Sequence, residues 1–233
     1  MKIAALSVFF PAYNEEKNIK KTVNASVEKL KKTAGSYEVI VVDDGSLDQT
    51  AVIVKKLIKR NPRIKLIAHT PNRGYGAALK SGFTHCQYPW IAYTDSDGQF
   101  NFQEIDNFLD RRDEADLIIG YRSPRRDPWQ RILIGQMLKF WNLIFFGLWM
   151  HDVDCGFKLI KKEVIDQIGT LQTSSGMTAT ELLVKAKKSG FKIIEIPVTH
   201  YPRQAGRQTG ADPQVIWRSI KESFRLWQSL SNS

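Results

Sequence analysis

A regular alternation of apolar runs and helical stretches over the first 120 residues constrains the fold of this chain more than any other feature. The strand-like apolar runs lie at residues 3–10, 37–42, 64–68, 90–94 and 116–120. The helical stretches fill the intervals at about 17–32, 48–60, 76–86 and 102–112. Strands that alternate with helices of this length form βαβ units and a mostly parallel sheet. The sequence therefore predicts an α/β fold in which a Rossmann-like sheet is flanked by helices.

The rhythm changes after residue 121, where a basic loop precedes the most apolar stretch of the chain. This stretch predicts a long helix at about 129–150. A shorter α/β segment follows, with strands predicted at 155–160 and 191–196 and a helix between them near 178–189. A last helix is predicted at about 213–230. The apolar N-terminus lacks a small-residue cleavage site, so it is interpreted as a first buried strand.

The charge balance narrows the classes of partner. The 233 residues include 34 basic and 24 acidic side chains, a net charge of +10, which suits nucleic acid, an anionic membrane face or phosphorylated substrates. The basic residues form no stripe interleaved with aromatics and no recognition motif, so we expect no nucleic-acid partner. The two cysteines form no C-x-x-C pattern, which argues against a disulfide framework or a zinc site and favours a reducing compartment.

Acidic residues follow three of the predicted strands, at the point where each strand ends. In chain order they are Glu15, Asp43, Asp44, Asp95 and Asp97. Ligands of such sheets bind beyond the carboxyl ends of the strands, and Mg²⁺-type ions are usually held by one or two carboxylates plus substrate phosphates. The sequence therefore predicts a cation and diphosphate site at this edge. For Asp43 and Asp44, a turn in which Asp44 or Ser46 caps the next helix is an alternative interpretation.

A segment with two glycines, Asn72-Arg73-Gly74-Tyr75-Gly76, follows the third predicted strand. It matches a dinucleotide-binding fingerprint only in part, because the third glycine is missing and the segment does not follow the first strand. A dehydrogenase is therefore not expected. The segment predicts a helix start that allows close approach of the backbone, with Arg73 able to reach a phosphate. Simple packing is the alternative.

Four motifs occur in the order and at the spacing of a known enzyme family. They are Phe10-Pro11-Ala12-Tyr13-Asn14-Glu15-Glu16, Val41-Val42-Asp43-Asp44-Gly45-Ser46, Asn72-Arg73-Gly74 and Asp95-Ser96-Asp97-Gly98-Gln99. In these motifs the chain resembles the family 2 glycosyltransferases of GT-A fold. It is most similar to their polyprenyl-phosphate sugar synthases, the dolichol-phosphate mannose synthase type. A later motif, Asp152-Val153-Asp154-Cys155-Gly156-Phe157-Lys158, also matches, except that Cys155 and Lys158 replace the usual residues.

The resemblance implies metal-dependent, inverting transfer of a glucose- or mannose-type sugar from a UDP- or GDP-linked donor to a polyprenyl phosphate. It implies a divalent cation, Mg²⁺ or Mn²⁺, held by Asp97 and Gln99 with Asp95 beside them. The residues that it implies for the nucleotide-sugar are Pro11, Tyr13, Glu15, Asp43, Asp44, Arg73, Asp95 and Ser96.

Acceptor and catalytic residues are expected mainly in the second half of the chain. The implied catalytic residues are Asp97, Asp152, Asp154 and Arg122. The cations expected to bind the acceptor phosphate are Arg122 and Arg131, which match arginines of that branch, and Arg203 and Arg207, which are placed only by the general position of a late loop. An alternative is the same donor chemistry with a hydroxyl acceptor. That acceptor needs a base, and Glu181 lies where other branches of the family place one.

The two apolar helices indicate a membrane surface. Gln136, Lys139 and Asn142 interrupt the long apolar stretch, which leaves too few residues to cross a bilayer core that needs ~20. Trp141 and Trp149 suit an interface, although a buried core helix is the alternative. The last helix mixes basic residues with apolar ones at helical spacing. We therefore expect a peripheral protein on anionic lipid at the cytoplasmic, inner face of the membrane.

These expectations divide the chain into a GT-A catalytic domain at residues 1–212 and a C-terminal amphipathic helix at 213–233. Within the domain, a nucleotide-binding half is expected at 1–120 and an acceptor half at 121–212. Acidic residues after the second strand serve uracil or guanine equally well, so the donor stays open. The oligomeric state stays open too.

Overall fold

A computed structural model describes residues 2–126, 129–203 and 213–231. Its seven-stranded sheet has the order β3-β2-β1-β4-β6-β5-β7. The pairs are parallel except those made by β6, which runs antiparallel to both neighbours. The strands are β1 (Ile3–Ala12), β2 (Ala34–Asp43), β3 (Ile64–Ala68), β4 (Trp90–Tyr93), β5 (Leu117–Arg122), β6 (Lys158–Lys161) and β7 (Ile193–Val198). The predicted α/β fold with a mostly parallel sheet is confirmed.

The described residues form helices on both faces of this sheet. They are α1 (Ile19–Thr33), α2 (Thr50–Ile58), α3 (Tyr75–His85), α4 (Ile105–Leu109), α5 (Trp129–Phe146), α6 (Lys162–Gln167), α7 (Met177–Lys188) and α8 (Pro213–Ser231). A 3-10 turn at Phe102–Glu104 precedes α4.

Successive residues of β1 point to opposite faces of the sheet and so build two apolar cores. Leu6, Val8 and Phe10 pack with α1, α2 and α4 on one face, and Phe9 packs with α3 and α7 on the other. These four side chains are fully buried, as expected of a central strand covered on both faces. The N-terminal run is therefore a buried strand, as predicted.

The reversed strand β6 brings a distant segment to the carboxyl end of β4. Tyr93 pairs with Lys158, and Trp90 pairs with Lys161. Because β6 runs in the opposite direction, the residues that precede it reach the edge where β4 ends. The motif at residues 152–156 consequently lies beside Asp95-Ser96-Asp97, the segment that follows β4.

Three helical features differ from the sequence prediction. The predicted helix at 102–112 is instead the 3-10 turn and the short α4, and Arg112 donates to the last carbonyl of α4, that of Leu109, at 2.8 Å. Helix α5 ends before residue 150, because Gly147 adopts a φ of 59°, a conformation that commonly ends helices. Helix α6 was missed, since its six residues are too few for a clear helical pattern.

Candidate active site

The loops after β1, β2 and β4 are joined at the carboxyl edge of the sheet. The main-chain N–H of Asp44 donates to the carbonyl of Ala12 at 2.8 Å, and the hydroxyl of Ser96 donates to the carbonyl of Pro11 at 2.7 Å. Tyr13 follows β1 and is 39% exposed, so its ring is accessible to a ligand. Predicted residues from three loops therefore meet at one edge.

Asp44 holds the loop that precedes α3. Its carboxylate accepts hydrogen bonds from the main-chain N–H groups of Arg73 at 3.0 Å and Gly74 at 2.8 Å, and lies 2.6 Å from Nδ1 of His69. Its carbonyl accepts from the side-chain amide of Asn72 at 2.7 Å. Asp44 thus holds in place the loop that carries the exposed Arg73. Its contact with a nucleotide base stays a prediction.

Asp43 is buried and has a local partner. Its Oδ1 accepts from the main-chain N–H of Ser46 at 3.2 Å. Side chains that accept from a nearby main-chain N–H are typical of Asx turns. This contact is the turn of the alternative interpretation, and a role for Asp43 on the donor stays a prediction.

Asp95 is fixed from two sides. The hydroxyl of Tyr75 donates to its Oδ1 at 2.9 Å. On the other side lies Gly156, where an added Cβ would be only 2.2 Å from Oδ2. Burial, together with the charge of Asp97, raises the pKa of Asp95 to about 6. Sequence reasoning missed Tyr75 and Gly156 as site residues, although both stand inside motifs that it quoted.

Asp97 is linked through Arg203 to the loop after β1 and to the segment after β7. Its Oδ1 accepts from the main-chain N–H of Gln99 at 3.0 Å, and its Oδ2 accepts from Nη1 of Arg203 at 3.2 Å. Arg203 also pairs with the buried Glu15. The side-chain amide of Gln99 donates to the carbonyl of Tyr201 at 3.1 Å. Glu15, Asp97, Gln99 and Arg203, which come from three separate segments of the chain, therefore form one cluster.

This cluster suits a divalent cation. Asp95 and Asp97 are close enough for the charge of Asp97 to raise the pKa of Asp95, a repulsion that a cation relieves. The guanidinium of Arg203 already places positive charge between Glu15 and Asp97. Among the described residues, no three His, Cys, Asp or Glu side chains converge on a metal position. The carboxylates of Asp95 and Asp97 fit an ion of the Mg²⁺ type, because such an ion is usually held by one or two carboxylates and keeps substrate phosphates in its shell.

Arg122 and Asp152 form a bidentate ion pair. Nε of Arg122 lies 2.6 Å from Oδ2 and its Nη2 lies 2.8 Å from Oδ1 of Asp152, with the two side chains 6% and 8% exposed. Burial favours a higher pKa for Asp152, but the hydrogen bonds and charge of Arg122 outweigh it and lower the pKa. Asp152 therefore stays ionised and orients the guanidinium. Arg122 is near enough to Asp95 for its charge to act on that carboxyl group.

Asp154 lies near the Arg122–Asp152 pair, whose charges act on its carboxyl group. Although the residue is exposed, desolvation by the surrounding protein and the charge of Asp152 raise the pKa of Asp154. The turn that carries both is held by Lys158, which is fully buried and donates to the carbonyls of Val153 and Cys155. The ammonium group of Lys158, which replaces the usual residue of the motif, therefore faces the main chain of this turn.

Glu181 is fully buried and supports a loop. Its carboxylate accepts from the main-chain N–H groups of Gln172 and Thr173, both at 2.8 Å, and from the hydroxyl of Thr173 at 2.7 Å. Lys185 forms an ion pair with it at 2.8 Å. Burial favours a higher pKa, but these partners outweigh it and lower the pKa of Glu181. A carboxylate held in this way is a poor general base for a substrate hydroxyl.

The structure does not describe the side chains of two arginines that were predicted to bind the acceptor phosphate. Arg207 is not among the described residues, and the side chain of Arg131 is not described, although its backbone belongs to α5. Of the four arginines predicted for the acceptor phosphate, Arg122 and Arg203 lie at the cluster.

Helices α5 and α8 present a broad apolar surface, here called the aromatic face. Its exposed members are Trp129, Leu133, Ile134, Met137, Phe140, Leu143 and Ile144 of α5, Trp149 just after α5, and Trp217, Ile220, Phe224 and Trp227 of α8. The helices meet where Nε1 of Trp141 donates to the hydroxyl of Ser223 at 2.5 Å and its ring packs edge-on against Phe224. So many exposed members contradict a buried core helix for α5. No helix in the described part of the chain is long and apolar enough to cross a membrane.

Curated relatives match most of this chain. Polyprenol monophosphomannose synthase of Mycolicibacterium smegmatis is 28% identical over 211 residues, which cover 85% of this chain and 78% of the relative. A dolichyl-phosphate beta-glucosyltransferase of Trichomonas vaginalis is 30% identical over 211 residues, covering 83% of this chain. The match spans only 64% of that relative's length.

The fold has close structural neighbours. Glucosyl-3-phosphoglycerate synthase of Mycobacterium tuberculosis, solved with Mn²⁺, UDP and glucosyl-3-phosphoglycerate, superposes with a TM-score of 0.74 at 14% identity and covers 96% of this chain and 80% of its own. The model of glycosyl transferase family 2 matches residues 7–169, which include every strand from β2 to β6 and all the acidic clusters described above. The chain therefore belongs to glycosyl transferase family 2, as its motifs predicted.

Proposed function

We propose that this protein transfers a glucose- or mannose-type sugar from a UDP- or GDP-linked donor to a polyprenyl phosphate, with inversion, at the inner face of a membrane. The observation that carries the proposal is the position of the Arg122–Asp152 pair beside Asp95. A guanidinium, a group suited to binding phosphate, thus lies close to the carboxylates that we propose for the donor site. The names of the two curated relatives, which specify a polyprenol or dolichyl phosphate product or acceptor, support the same acceptor class.

On the donor side, the chain's residues would hold and orient the nucleotide-sugar. Tyr13 and the loop built by Asp44 would line the nucleoside pocket, and the exposed Arg73 would reach its phosphates. Asp97, Gln99 and Asp95 would hold Mg²⁺ or Mn²⁺, which when bound supplies Lewis-acid stabilisation of the leaving diphosphate. The Mn²⁺ in the structural neighbour supports a divalent ion.

On the acceptor side, the reaction requires that the acceptor phosphate be held in position and does not require a general base. An oxygen of the acceptor phosphate attacks the anomeric carbon, a new C–O bond forms, and the bond from that carbon to the donor diphosphate breaks. Since the phosphate oxygen is already ionised near neutral pH, no proton has to be removed. Arg122, held by Asp152, would orient the phosphate with the two-pronged geometry of a guanidinium.

The state of Glu181 favours this acceptor over a hydroxyl. A hydroxyl acceptor requires a base, and the carboxylate of Glu181 is engaged by the loop at residues 172–173 and by Lys185. The hydroxyl alternative would then need a different base, and Asp154, whose pKa is raised, is one candidate.

The aromatic face would place this site against the membrane. Indole rings favour the interface between lipid and water, and basic side chains of α8 favour anionic lipid. Replacing Phe140 and Ile144, which are 57% and 74% exposed, by serine should release the protein from anionic vesicles. Val52→Ser on α2, 42% exposed, is the matched control and should leave vesicle binding unchanged. Equal binding of all three proteins would contradict this orientation.

The transfer itself is tested with radiolabelled UDP- and GDP-sugars, Mn²⁺ or Mg²⁺, and undecaprenyl phosphate in vesicles. An acid-labile, lipid-linked sugar is the expected product. Undecaprenol, which presents a hydroxyl in place of the phosphate, is the matched acceptor control and should receive no sugar. Transfer to undecaprenol, or no transfer to the phosphate with any donor, would contradict the proposed acceptor.

A further inference from the structure

A cationic groove separates α8 from the loop that precedes α7. Its volume is about 590 Å³, and its wall includes Ser174, Trp217, Arg218, Lys221, Glu222 and Arg225. Three of these six side chains are cationic and one is acidic. The groove belongs to neither the donor cluster nor the Arg122–Asp152 pair.

The acidic member of the wall, Glu222, is held by fixed hydrogen-bond partners. Glu222 accepts from the main-chain N–H groups of Ser174 at 3.1 Å and Ser175 at 3.0 Å, and from the hydroxyl of Ser174 at 3.0 Å. Nε of Arg218 lies 3.3 Å away. Burial favours a higher pKa, but these hydrogen bonds outweigh it and lower the pKa of Glu222. Glu222 therefore stays ionised, and three cationic side chains against this one carboxylate leave the groove with an excess of positive charge.

The cations are held in defined positions. Nη2 of Arg218 donates to the hydroxyl of Ser174 at 2.5 Å, and the ammonium group of Lys221 lies 5.1 Å from the centre of the Trp217 ring. A guanidinium and an ammonium group fixed side by side suit the oxygens of a phosphate group. The Trp217 ring, 59% exposed, also belongs to the aromatic face.

We propose that this groove binds the phosphate of an anionic phospholipid headgroup, with phosphatidylglycerol-type lipid as its occupant. The inference rests on the proposed membrane association. It adds a discrete lipid site to that association. The headgroup phosphate would lie between Arg218, Lys221 and Arg225, and its acyl chains would leave past Trp217 along the aromatic face. A phospholipid is favoured over a soluble phosphate because the groove and the apolar surface share this indole ring.

The groove also adjoins the loop before α3, which carries Arg73. Nη1 of Arg218 lies 3.7 Å from the position that a Cβ on Gly74 would take, and the carbonyl of Ser174 accepts from the main-chain N–H of Gly76 at 3.0 Å. A lipid bound here would therefore touch the wall on which the loop before α3 rests.

The test is calorimetric titration of the intact chain with dihexanoyl phosphatidylglycerol below its micellar concentration. We expect saturable, one-to-one binding, and no saturable binding of dihexanoyl phosphatidylcholine. The variant Lys221→Gln/Arg225→Gln should weaken binding by roughly ten-fold or more, since each basic residue contributes several-fold to the attraction of anionic lipid. It leaves the hydrogen bonds of Arg218 and Glu222 in place, so folding is expected to be unchanged.

The matched control is Lys55→Gln/Lys56→Gln, two exposed lysines of α2 on the opposite face of the sheet, which should bind the lipid within two-fold of the native chain. Equal losses in the two variants, or no loss in either, would overturn the site. Competition by UDP- or GDP-sugar would assign the groove to the donor instead. Stronger binding of citronellyl phosphate at the groove would assign it to the acceptor, and equal binding of inorganic phosphate would remove the lipid from the proposal.

Because this readout is binding alone, it is separate from sugar transfer. A chain that binds the lipid but transfers no sugar would contradict the proposed function and leave the groove site standing. If the chain transfers sugar but the groove variant binds lipid normally, the groove site is contradicted and the proposed function stands.

Discussion

The edge of the sheet and the α5–α8 surface use polar and apolar groups in opposite ways. At the edge, each carboxylate has assigned donors: Asp44 takes two main-chain N–H groups, and Asp95 takes the hydroxyl of Tyr75. At the aromatic face, side chains such as Met137 and Trp149 are 65% and 57% exposed and point away from the core. The edge of the sheet holds individual polar atoms in place, whereas the aromatic face provides apolar surface area.

The difference follows from what each region would bind. A nucleotide-sugar has a defined shape and charge, so a site that holds its groups in place beforehand gains rate and specificity. A lipid surface is fluid and has no fixed positions, so apolar area and a few cations suffice. Substitutions at the edge should therefore act on single steps of the reaction, whereas substitutions at the aromatic face should act on membrane binding.

The largest effect is expected for Asp97→Asn. Losing this charge removes the carboxylate that pairs with Arg203 and is proposed to hold the metal, so transfer should fall by about 10³-fold with any acceptor. The measurement is kcat with saturating donor. Asp110→Asn, at an exposed position after α4, is the control and should keep full activity. Unchanged turnover in Asp97→Asn would break the distinction between edge and surface.

Arg122→Lys should reduce transfer by about 10²-fold, because lysine cannot keep the two-pronged contact with Asp152 that orients the acceptor phosphate. Donor binding, measured by thermal shift with nucleotide-sugar and Mn²⁺, should hardly change. Asp152→Asn should cost a similar amount, and the double variant should be little worse than either single one. Fully additive losses would show that the pair does not act as one unit.

Glu181→Gln should lower the free energy of unfolding by about 2 kcal/mol, roughly 30-fold in the equilibrium constant, because an amide has one acceptor oxygen where the carboxylate uses both oxygens to accept from Gln172 and Thr173. The lowered pKa of Glu181 means that its contribution is present at pH 7 and is lost as the pH falls below the ordinary value of 4.5 and through the folded-state pKa.

Denaturation of the native chain and this variant at several pH values measures that difference, which should shrink in acid. The folded variant should still transfer sugar to polyprenyl phosphate. Abolished transfer with unchanged stability would instead identify Glu181 as a base and support a hydroxyl acceptor.

The smallest effect is expected for Tyr75→Phe. It removes one hydrogen bond to Asp95 and leaves the ring in place, so transfer should fall by about five-fold, the value of a single hydrogen bond. The measurement is kcat/KM for the nucleotide-sugar. Tyr201→Phe, whose main chain rather than its hydroxyl contacts Gln99, is the control. Equal values for both variants would show that the hydroxyl does not position Asp95.

Sequence reasoning succeeded where the signal is local and failed where it depends on distant partners. The parallel strands, the acidic loops and the amphipathic α8 follow from periodicity and strand ends. The reversal of β6 does not, because its four residues carry no mark of direction. The pairing of Arg122 with Asp152, 30 residues apart, and the support of Asp95 by Tyr75 likewise exist only once the sheet is assembled. Motif membership marked these residues but could not assign their partners.

The antiparallel β6 has a consequence for how the protein is made. During synthesis, β1 to β3 and their helices can associate as soon as they emerge, since β1 and β2 pair over most of their length. The neighbour of β4 on its other side is 65 or more positions later in the chain, as Tyr93 pairs with Lys158. Contacts of such long sequence separation form late. A half-synthesised chain therefore exposes the edge of β4 and lacks Gly156 beside Asp95, so a ribosome-bound fragment ending before β6 should need chaperone protection and show no affinity for nucleotide-sugar.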